Sequence, residues 1–409
     1  MRCVLGITSS QSRSMRRSCA TCVGRRKLRR LDAPSCGSIS FAEAGPPASV
    51  PTICEHRREA ALATMRNDGM SLEKILPSLR CPVNGDELTR RGDLLISKSG
   101  REYPIVRGVP VLLSNTDDPT LWVVKASYEA ARKHPEDPYQ AETVAVLPHE
   151  LPALKERLRR AGEEKVDPVI SFLMIATNGY LYGDLAGTLQ EVPIPQIRLP
   201  QGEGLLLDIG CSWGRWSVAA ARKGYSVVGI DPSLGGVLAA KRLTQKLGLD
   251  VTFVVGTALR LPFAPGTFNH IYSNSVLQHF SYENAELAVR EAAKVSKKDA
   301  SLLMQMPNKF GIRCLYHQAR RGFRSGTGFD VRYYSPGYLR NLFASSFGPS
   351  ELSIDGFFGL GVQASDRKFL PLSKRLVVDA SEALRGVSRA LPGLLNVADS
   401  LYVNSRRAA

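Results

Sequence analysis

The chain has 409 residues, enough for two or three domains of ordinary size. Its 54 lysines and arginines outnumber its 38 aspartates and glutamates, so the formal net charge is +16. No stretch reaches the roughly 18–20 uninterrupted apolar residues that a membrane span requires, so we expect a soluble, cytoplasmic protein with no membrane span.

Residues 1–70 form a basic tail that we expect to be disordered. They contain 12 lysines and arginines against 5 acidic residues, and no apolar segment of the kind that a secretory signal needs. The composition fits an organellar transit peptide, or translated upstream sequence with Met65 or Met70 as the true start. Five of the eight cysteines lie here, but no second Cys or His pair completes a zinc site, and no disulfide framework is expected.

The segment 71–116 is predicted to be a small β-rich unit without a metal. Its run GREYPIVRGVPVLL resembles the zinc-ribbon-like domain found beside, or fused to, some tRNA and rRNA methyltransferases. The resemblance places the four zinc ligands at Cys81, Asn84, Ile96 and Ser99. Because one thiolate cannot hold tetrahedral zinc, apolar packing must stabilise this unit, which favours a packing or partner-binding role over recognition.

Residues 117–200 are predicted to be helical with polar breaks. The stretch 154–165 has glutamates and arginines near i,i+4 spacing, which indicates a solvated helix face. Tyr180 and Tyr182 precede the next apolar strand, where they could form a lid over a ligand or pack in the core.

Residues 204–231 predict a β–loop–α–β unit that binds a nucleoside cofactor. A turn containing Gly210 and Gly214 follows an apolar run that reaches Asp208, and a second apolar run ends at Asp231. A carboxylate at the mouth of the glycine loop would repel the pyrophosphate of a dinucleotide. S-adenosyl-L-methionine has no phosphate and carries an ammonium group, so the sequence favours this methyl donor.

The strand pattern continues beyond the loop. Apolar runs at 251–255, 270–273 and 301–306 alternate with helical segments at 234–246 and 283–295. This alternation predicts a mostly parallel sheet with helices on both faces, whose ligand binds at the carboxyl ends of the strands. The polar residues at those ends are Asp208, Asp231, Thr257 and Asn274.

Residues 204–306 resemble the class I S-adenosylmethionine-dependent methyltransferases, and LPFAPGTFNHIYSNSVLQHF resembles the type 11 subgroup. The resemblance implies an α/β fold with a Rossmann-like sheet of seven strands, in a domain that covers 201–409. It also implies the cofactor contacts: Asp208 and Gly210 under the methionine moiety, Asp231 at the ribose, Thr257 and Ala258 at the adenine, and Asn274 to Leu277 closing over the cofactor. The loop and the next strand end add Cys211, Ser212, Gly214 and Pro232.

Two positions depart from the family pattern. Ser212 stands where a central glycine is common, and Thr257 where an aspartate often meets the adenine amino group. A serine is small enough for the loop and a threonine can accept a hydrogen bond, so we expect weaker cofactor binding rather than none.

The acceptor side is predicted at 307–335, where arginines alternate with aromatic residues. This pattern suits an anionic or stacked acceptor, such as RNA, a phosphorylated lipid or a sugar nucleotide, and is equally typical of a basic loop with its aromatics in the core. Beyond it we expect a helix at 338–347, a strand at 351–357, a helical insertion at 365–394 and a last strand at 400–404.

The sequence identifies no catalytic residue, because the sulfonium supplies an activated methyl group and not every such enzyme needs a general base. His279 is the best-placed titratable group, with a structural cap as the alternative. We expect methyl transfer to a small-molecule or lipid-linked acceptor. The alternatives are transfer to tRNA or rRNA, and a catalytically idle scaffold.

Overall fold

Two β-sheets form the framework of the part of the chain that the structure describes. The computed structural model describes residues 72–114, 122–133, 151–159, 165–178, 189–359 and 363–408. The predicted basic tail, and Tyr180 and Tyr182 of the predicted lid, lie outside these residues. No helix of the described residues is long and apolar enough to cross a membrane.

A four-stranded antiparallel sheet follows a helical segment at residues 72–78. Its strands, which neighbour one another in chain order, are β1 Leu88–Arg91, β2 Leu94–Ser97, β3 Glu102–Val106 and β4 Val109–Pro110. Asn84 Nδ2 donates to Ser99 Oγ at 2.9 Å, and Cys81 Sγ lies 3.1 Å from the Tyr103 hydroxyl. Three of the four positions aligned with zinc ligands therefore make ordinary polar contacts. Within the described ranges no three His, Cys, Asp or Glu side chains are grouped to hold a metal ion.

The second sheet has seven strands in the order β10-β11-β9-β8-β5-β6-β7. The pairs from β9 to β7 are parallel, whereas β11 is antiparallel to both β9 and β10. The bounds are β5 Leu205–Ile209, β6 Ser226–Asp231, β7 Val251–Val255, β8 Phe268–Asn274, β9 Ser296–Pro307, β10 Ser350–Gly356 and β11 Ser400–Arg406. The prediction of a seven-stranded α/β sheet is confirmed.

Helices cover both faces of this sheet. One buried apolar cluster joins the sheet to α6 and α8, and a second joins it to α4 and α5. After the helical segment at 72–78, the α-helices of the described residues are α1 Trp122–Arg132, α2 Leu151–Arg159, α3 Pro168–Asn178, α4 Arg215–Ala221, α5 Leu234–Lys246, α6 Tyr282–Val295, α7 Ile312–Arg320, α8 Pro336–Ser346 and α9 Leu372–Val387. Serine side chains cap α5, α6 and α8 by accepting a backbone N–H of the first turn.

The sheet positions differ from the predicted ones mainly in length. β9 begins at Ser296, directly after α6, rather than at residue 301. Residues Lys297 to Asp299, near the start of β9, are exposed and charged, and Asp299 has a left-handed φ of +62°. These residues hide the apolar alternation by which a strand is recognised in sequence.

The N-terminal sheet is joined to the edge of the larger sheet by backbone hydrogen bonds. Leu112 N–H donates to the Val255 carbonyl of β7 at 2.8 Å, and Arg80 N–H donates to the Pro262 carbonyl at 2.9 Å. Buried residues of both sheets, among them Leu95 and Phe263, belong to one apolar cluster. The two sheets therefore share a core.

Candidate functional site

Asp208 lies near the carboxyl end of β5 with only 1% of its surface exposed. Ser217 Oγ, in α4, donates to Asp208 Oδ2 at 2.6 Å. Burial raises the pKa of Asp208 to about 7, against the opposing effect of the Ser217 hydrogen bond and with a further rise from the charge of Asp231. Asp208 thus lies beneath the loop, where it holds the start of α4 and contributes a charge rather than an open surface.

The loop between β5 and α4 turns through three left-handed residues. Gly210 and Gly214 have φ of +77° and +80°, and Ser212 has φ of +47°. A Cβ added to Gly210 would lie 2.1 Å from Val276 Cγ2, far inside van der Waals contact. Glycine is thus required at 210 for both backbone and space, whereas Ser212 accepts a backbone conformation that costs an L-residue roughly 1–2 kcal/mol.

Asp231 ends β6 beside this loop and keeps part of its surface exposed. Ser212 N–H donates to Asp231 Oδ2 at 3.0 Å, and Ser233 N–H donates to Asp231 Oδ1 at 2.8 Å. Burial raises the pKa of Asp231 to about 6, although both backbone donors oppose the rise. The left-handed turn at Ser212 therefore directs an N–H at this carboxylate and fixes its orientation.

Two carboxylates with raised pKa values define the charge of the loop. A bound cation would stabilise the ionised form of both Asp208 and Asp231, whereas a phosphate would meet their repulsion. Cys211, between them, is buried, and its thiol pKa is raised well above normal by burial and by both carboxylates. This thiol stays protonated near neutral pH, so it lines the loop without acting as a nucleophile.

The turn after β7 lies next to Asp231. Gly256 N–H donates to the Asp231 carbonyl at 3.2 Å, and Thr257 and Ala258, which follow, are both buried. Pro232 is partly buried beside them. The predicted ribose-side and adenine-side residues therefore lie at neighbouring strand ends.

The end of β8 lies on the other side of β5 from β6. Ser275 has a left-handed φ of +59°, and its N–H and Oγ both donate to Gln305 Oε1 of β9 at 2.8 Å. Asn274 Nδ2 is buried and faces the Tyr402 hydroxyl, and Leu277 is fully buried. The two hydrogen bonds of Ser275 to Gln305 therefore fix the chain at the end of β8.

Sequence reasoning missed the polar chain that supports Ser275. Gln305 Nε2 donates to Ser400 Oγ at 2.6 Å, and Ser400 Oγ donates to buried Asp355 Oδ2 at 2.6 Å. Arg198 Nε donates to Asp355 Oδ1 at 3.2 Å. A glutamine and a serine inside two apolar strands were the available signal, because buried polar groups in sheets need partners.

His279, which follows the end of β8, contacts the 307–335 segment. Its ring stacks on Phe329 with 3.9 Å between centroids, its Nδ1 lies 2.8 Å from the Phe329 carbonyl oxygen, and its Nε2 lies 3.2 Å from Gln278 Nε2. Burial lowers the pKa of His279 to about 4, and the nearby charge of Arg332 lowers it further. With both ring nitrogens in polar contacts, the observed role of His279 is packing, and proton acceptance remains a prediction.

The 307–335 segment is not the unbroken loop that its sequence suggests. It contains α7, and it returns along the 277–280 turn, where Arg332 N–H donates to the Gln278 carbonyl at 2.8 Å. Its aromatics divide between two environments, since Tyr334 is fully buried while Phe323 is 69% exposed. The expectation of aromatics in the core is therefore met by Tyr334, whereas an acceptor-binding role for the exposed part stays a prediction.

Residues 206–299 match the family model of the methyltransferase domain. The Azorhizobium caulinodans ubiquinone biosynthesis O-methyltransferase is 29% identical over 104 residues, which are 25% of this chain and 40% of the relative. The Rauvolfia serpentina norajmaline N-methyltransferase is 32% identical over 102 residues, 24% of this chain and 34% of the relative. The chain thus spans about two fifths or less of these curated relatives.

A Bacillus subtilis protein, the uncharacterized methyltransferase YcgJ, is 33% identical over 105 residues, 25% of this chain and 41% of its own. The solved structure of YcgJ is 22% identical, covers 51% of this chain and 94% of its own, and has a TM-score of 0.37. That score is too low to support any conclusion about the site. The range matched by the family model contains the glycine loop.

Proposed function

We propose that this chain is a class I S-adenosylmethionine-dependent methyltransferase, and that it transfers the methyl group of S-adenosyl-L-methionine to a small-molecule or lipid-linked acceptor. When bound, this cofactor supplies a methyl group already activated by its sulfonium. The protein then has to bind the cofactor and the acceptor, orient them, and exclude water.

The observation that carries the proposal is the pair of carboxylates at the glycine loop. Asp231 is held by two backbone N–H groups with part of its surface open, which suits the acceptance of two vicinal hydroxyls. Asp208 lies buried below the loop and supplies a negative charge that favours an ammonium and a sulfonium. The sign of these charges supports the methyl donor as the ligand.

Asn274 ends β8, the strand next to β5, and we expect it to close over the cofactor there. Thr257 and Ala258 offer a small, buried surface for a flat base, and Leu277 closes the apolar side. The proposed cofactor-binding set is therefore spread over the ends of β5, β6, β7 and β8, as expected for a parallel sheet.

The acceptor is proposed from chemistry rather than from the relatives. The names of two relatives specify an oxygen acceptor in one and a nitrogen acceptor in the other, so neither the atom nor the molecule transfers to this chain. A lipid-linked or small acceptor is supported by the 307–335 segment, which lies beside the end of β8 and combines exposed apolar side chains with arginines. The same arginines favour RNA as the second candidate.

The acceptor class can be tested by incubating the protein with S-adenosyl-L-methionine labelled in the methyl group and a cell extract. We expect label in the organic phase, lost in Asp231→Ala and kept in Asp250→Ala, an exposed aspartate outside the loop. Label in purified RNA would replace the first proposal by the second. Label in neither fraction, together with unimpaired cofactor binding, would favour an idle scaffold.

A further inference from the structure

Helix α7 turns its apolar face outward. Ile312, Leu315 and Tyr316 share one face by their i, i+3, i+4 spacing, and they are 50%, 40% and 52% exposed. The buried side chains of the helix are Cys314 and Gln318. A surface helix normally has the reverse arrangement, with its apolar stripe towards the core.

Polar contacts hold α7 in this orientation. Asp399 Oδ1 accepts the N–H groups of Arg313 at 2.6 Å and Cys314 at 3.0 Å, and so caps the first turn. Gln318 Nε2 donates to the Lys309 carbonyl at 2.7 Å and to the Cys314 carbonyl at 3.1 Å. The helix is thus attached to the domain through its polar side.

Two further aromatic residues extend the exposed surface. Phe310 precedes α7 and is 46% exposed, and Phe323 follows the helix and is 69% exposed. Phe323 has a left-handed φ of +56°, which a bulky residue rarely adopts. We call Phe310, Ile312, Leu315, Tyr316 and Phe323 the α7 face.

Positive charge surrounds the α7 face. Residues 309–324 contain five lysines and arginines and no aspartate or glutamate. Among them Lys309, Arg320 and Arg324 are exposed. An amphipathic helix with aromatic and aliphatic residues on one side and basic residues around it is typical of binding in the interface of an anionic bilayer.

We propose that the α7 face docks on an anionic membrane surface, as a peripheral contact and not as a span. The aromatic residues of this face could stack on bases, but Ile312 and Leu315 lie among them and suit the acyl region of a bilayer, which favours lipid over RNA. Contact with a second copy would bring the same positive charges together, which disfavours a symmetric dimer. Anionic headgroups satisfy the charges while the acyl region takes the apolar side chains.

The chain that follows the α7 face links it to the 277–280 turn after β8. Arg321 Nη2 donates to the Val331 carbonyl at 3.0 Å, and Arg332 Nη1 donates to the His279 carbonyl at 2.8 Å. Membrane docking would therefore hold the acceptor end of the sheet near the lipid surface. This inference goes beyond the proposed methyl transfer, because attachment to lipid can be measured without any reaction.

The test is co-sedimentation of the full chain with vesicles of phosphatidylcholine alone, and of equal parts phosphatidylcholine and phosphatidylglycerol. We expect binding to the anionic vesicles that weakens with salt, and about tenfold or greater loss of binding in the double variant Leu315→Glu, Phe323→Ser. Leu287→Glu, at a 41% exposed leucine of α6, is the matched control and should bind as the wild type does. Circular dichroism and thermal melting should show that all these variants fold.

Three results would overturn the proposal. The first is no binding of the wild type to anionic vesicles, and the second is an equal loss in Leu287→Glu. The third is that the double variant, while still binding vesicles, loses RNA retention on a filter or changes from dimer to monomer in sedimentation velocity. That result would assign the α7 face to RNA or to a second copy.

Discussion

Gly210→Ala is the substitution whose cost can be worked out most fully from the structure. The new Cβ would lie 2.1 Å from Val276 Cγ2, 3.0 Å from Val276 Cγ1 and 3.1 Å from Val276 Cβ, in a residue with φ of +77°. The left-handed backbone costs about 1–2 kcal/mol, and overpacking adds about 1–3 kcal/mol. Reduced entropy of the unfolded chain returns about 0.4–1 kcal/mol, so we expect a net loss of roughly 2–4 kcal/mol.

Two further variants separate the two causes. Gly266 also has a left-handed φ, of +68°, but a Cβ there meets nothing within 4 Å, so Gly266→Ala should show the backbone cost alone, about 1 kcal/mol. Val276→Ala removes both γ carbons. The free energy of unfolding lost in the double variant Gly210→Ala, Val276→Ala should therefore be about 1–3 kcal/mol smaller than the sum of the losses in the two single variants.

Urea unfolding followed by tryptophan fluorescence measures these free energies, since Trp213 is buried within the loop. Additive effects of Gly210→Ala and Val276→Ala would refute the steric reasoning. A loss in Gly266→Ala equal to that in Gly210→Ala would show that backbone strain alone explains the glycine.

Three other predictions concern charge, strain and the histidine. Because the pKa of Asp208 rises from 3.8 to about 7 on folding, the contribution of Asp208 to stability is greatest below about pH 4 and is lost as pH rises through about 7. A cationic ligand favours the ionised form of Asp208, so the thermal shift caused by S-adenosyl-L-methionine should grow from pH 5 to pH 8, and Asp208→Asn should flatten this dependence. Ser212→Gly should change the free energy of unfolding by less than about 1 kcal/mol, because relief of the left-handed strain offsets the entropy of glycine, whereas Ser212→Val should lose about 2 kcal/mol in urea unfolding. His279→Gln should leave the pH profile of methyl transfer unchanged near pH 6–7, because the pKa of His279 is already lowered to about 4. Loss of an inflection in that range would instead show that His279 acts as a general base.

The cofactor side of the site could be predicted from sequence because its parts are close in the chain. A single β–loop–α–β unit contains Asp208, Gly210 and Asp231, and the spacing of apolar runs places the later strand ends at the same edge. The structure adds a distinction that spacing does not contain. Asp208 is buried under the loop, whereas Asp231 remains partly open, so the two acids act differently.

The other side of the site depends on contacts between distant residues. The ring of His279 stacks on Phe329, 50 residues further along the chain, and Ser275 depends on Gln305 through the register of β8 and β9. A local pattern shows neither contact. The same limit applies to α7, where helical spacing alone cannot say that the apolar face points outward, because that follows from the cap at Asp399.

The most direct test of the central claim is calorimetric titration of the full chain with S-adenosyl-L-methionine. We expect one binding site in the wild type, about tenfold or greater weakening in Asp231→Ala because a hydrogen-bonded carboxylate is lost, and unchanged affinity in Asp250→Ala. No heat of binding in the wild type, or equal affinity in wild type and Asp231→Ala, would contradict the assignment of the glycine loop as the methyl-donor site.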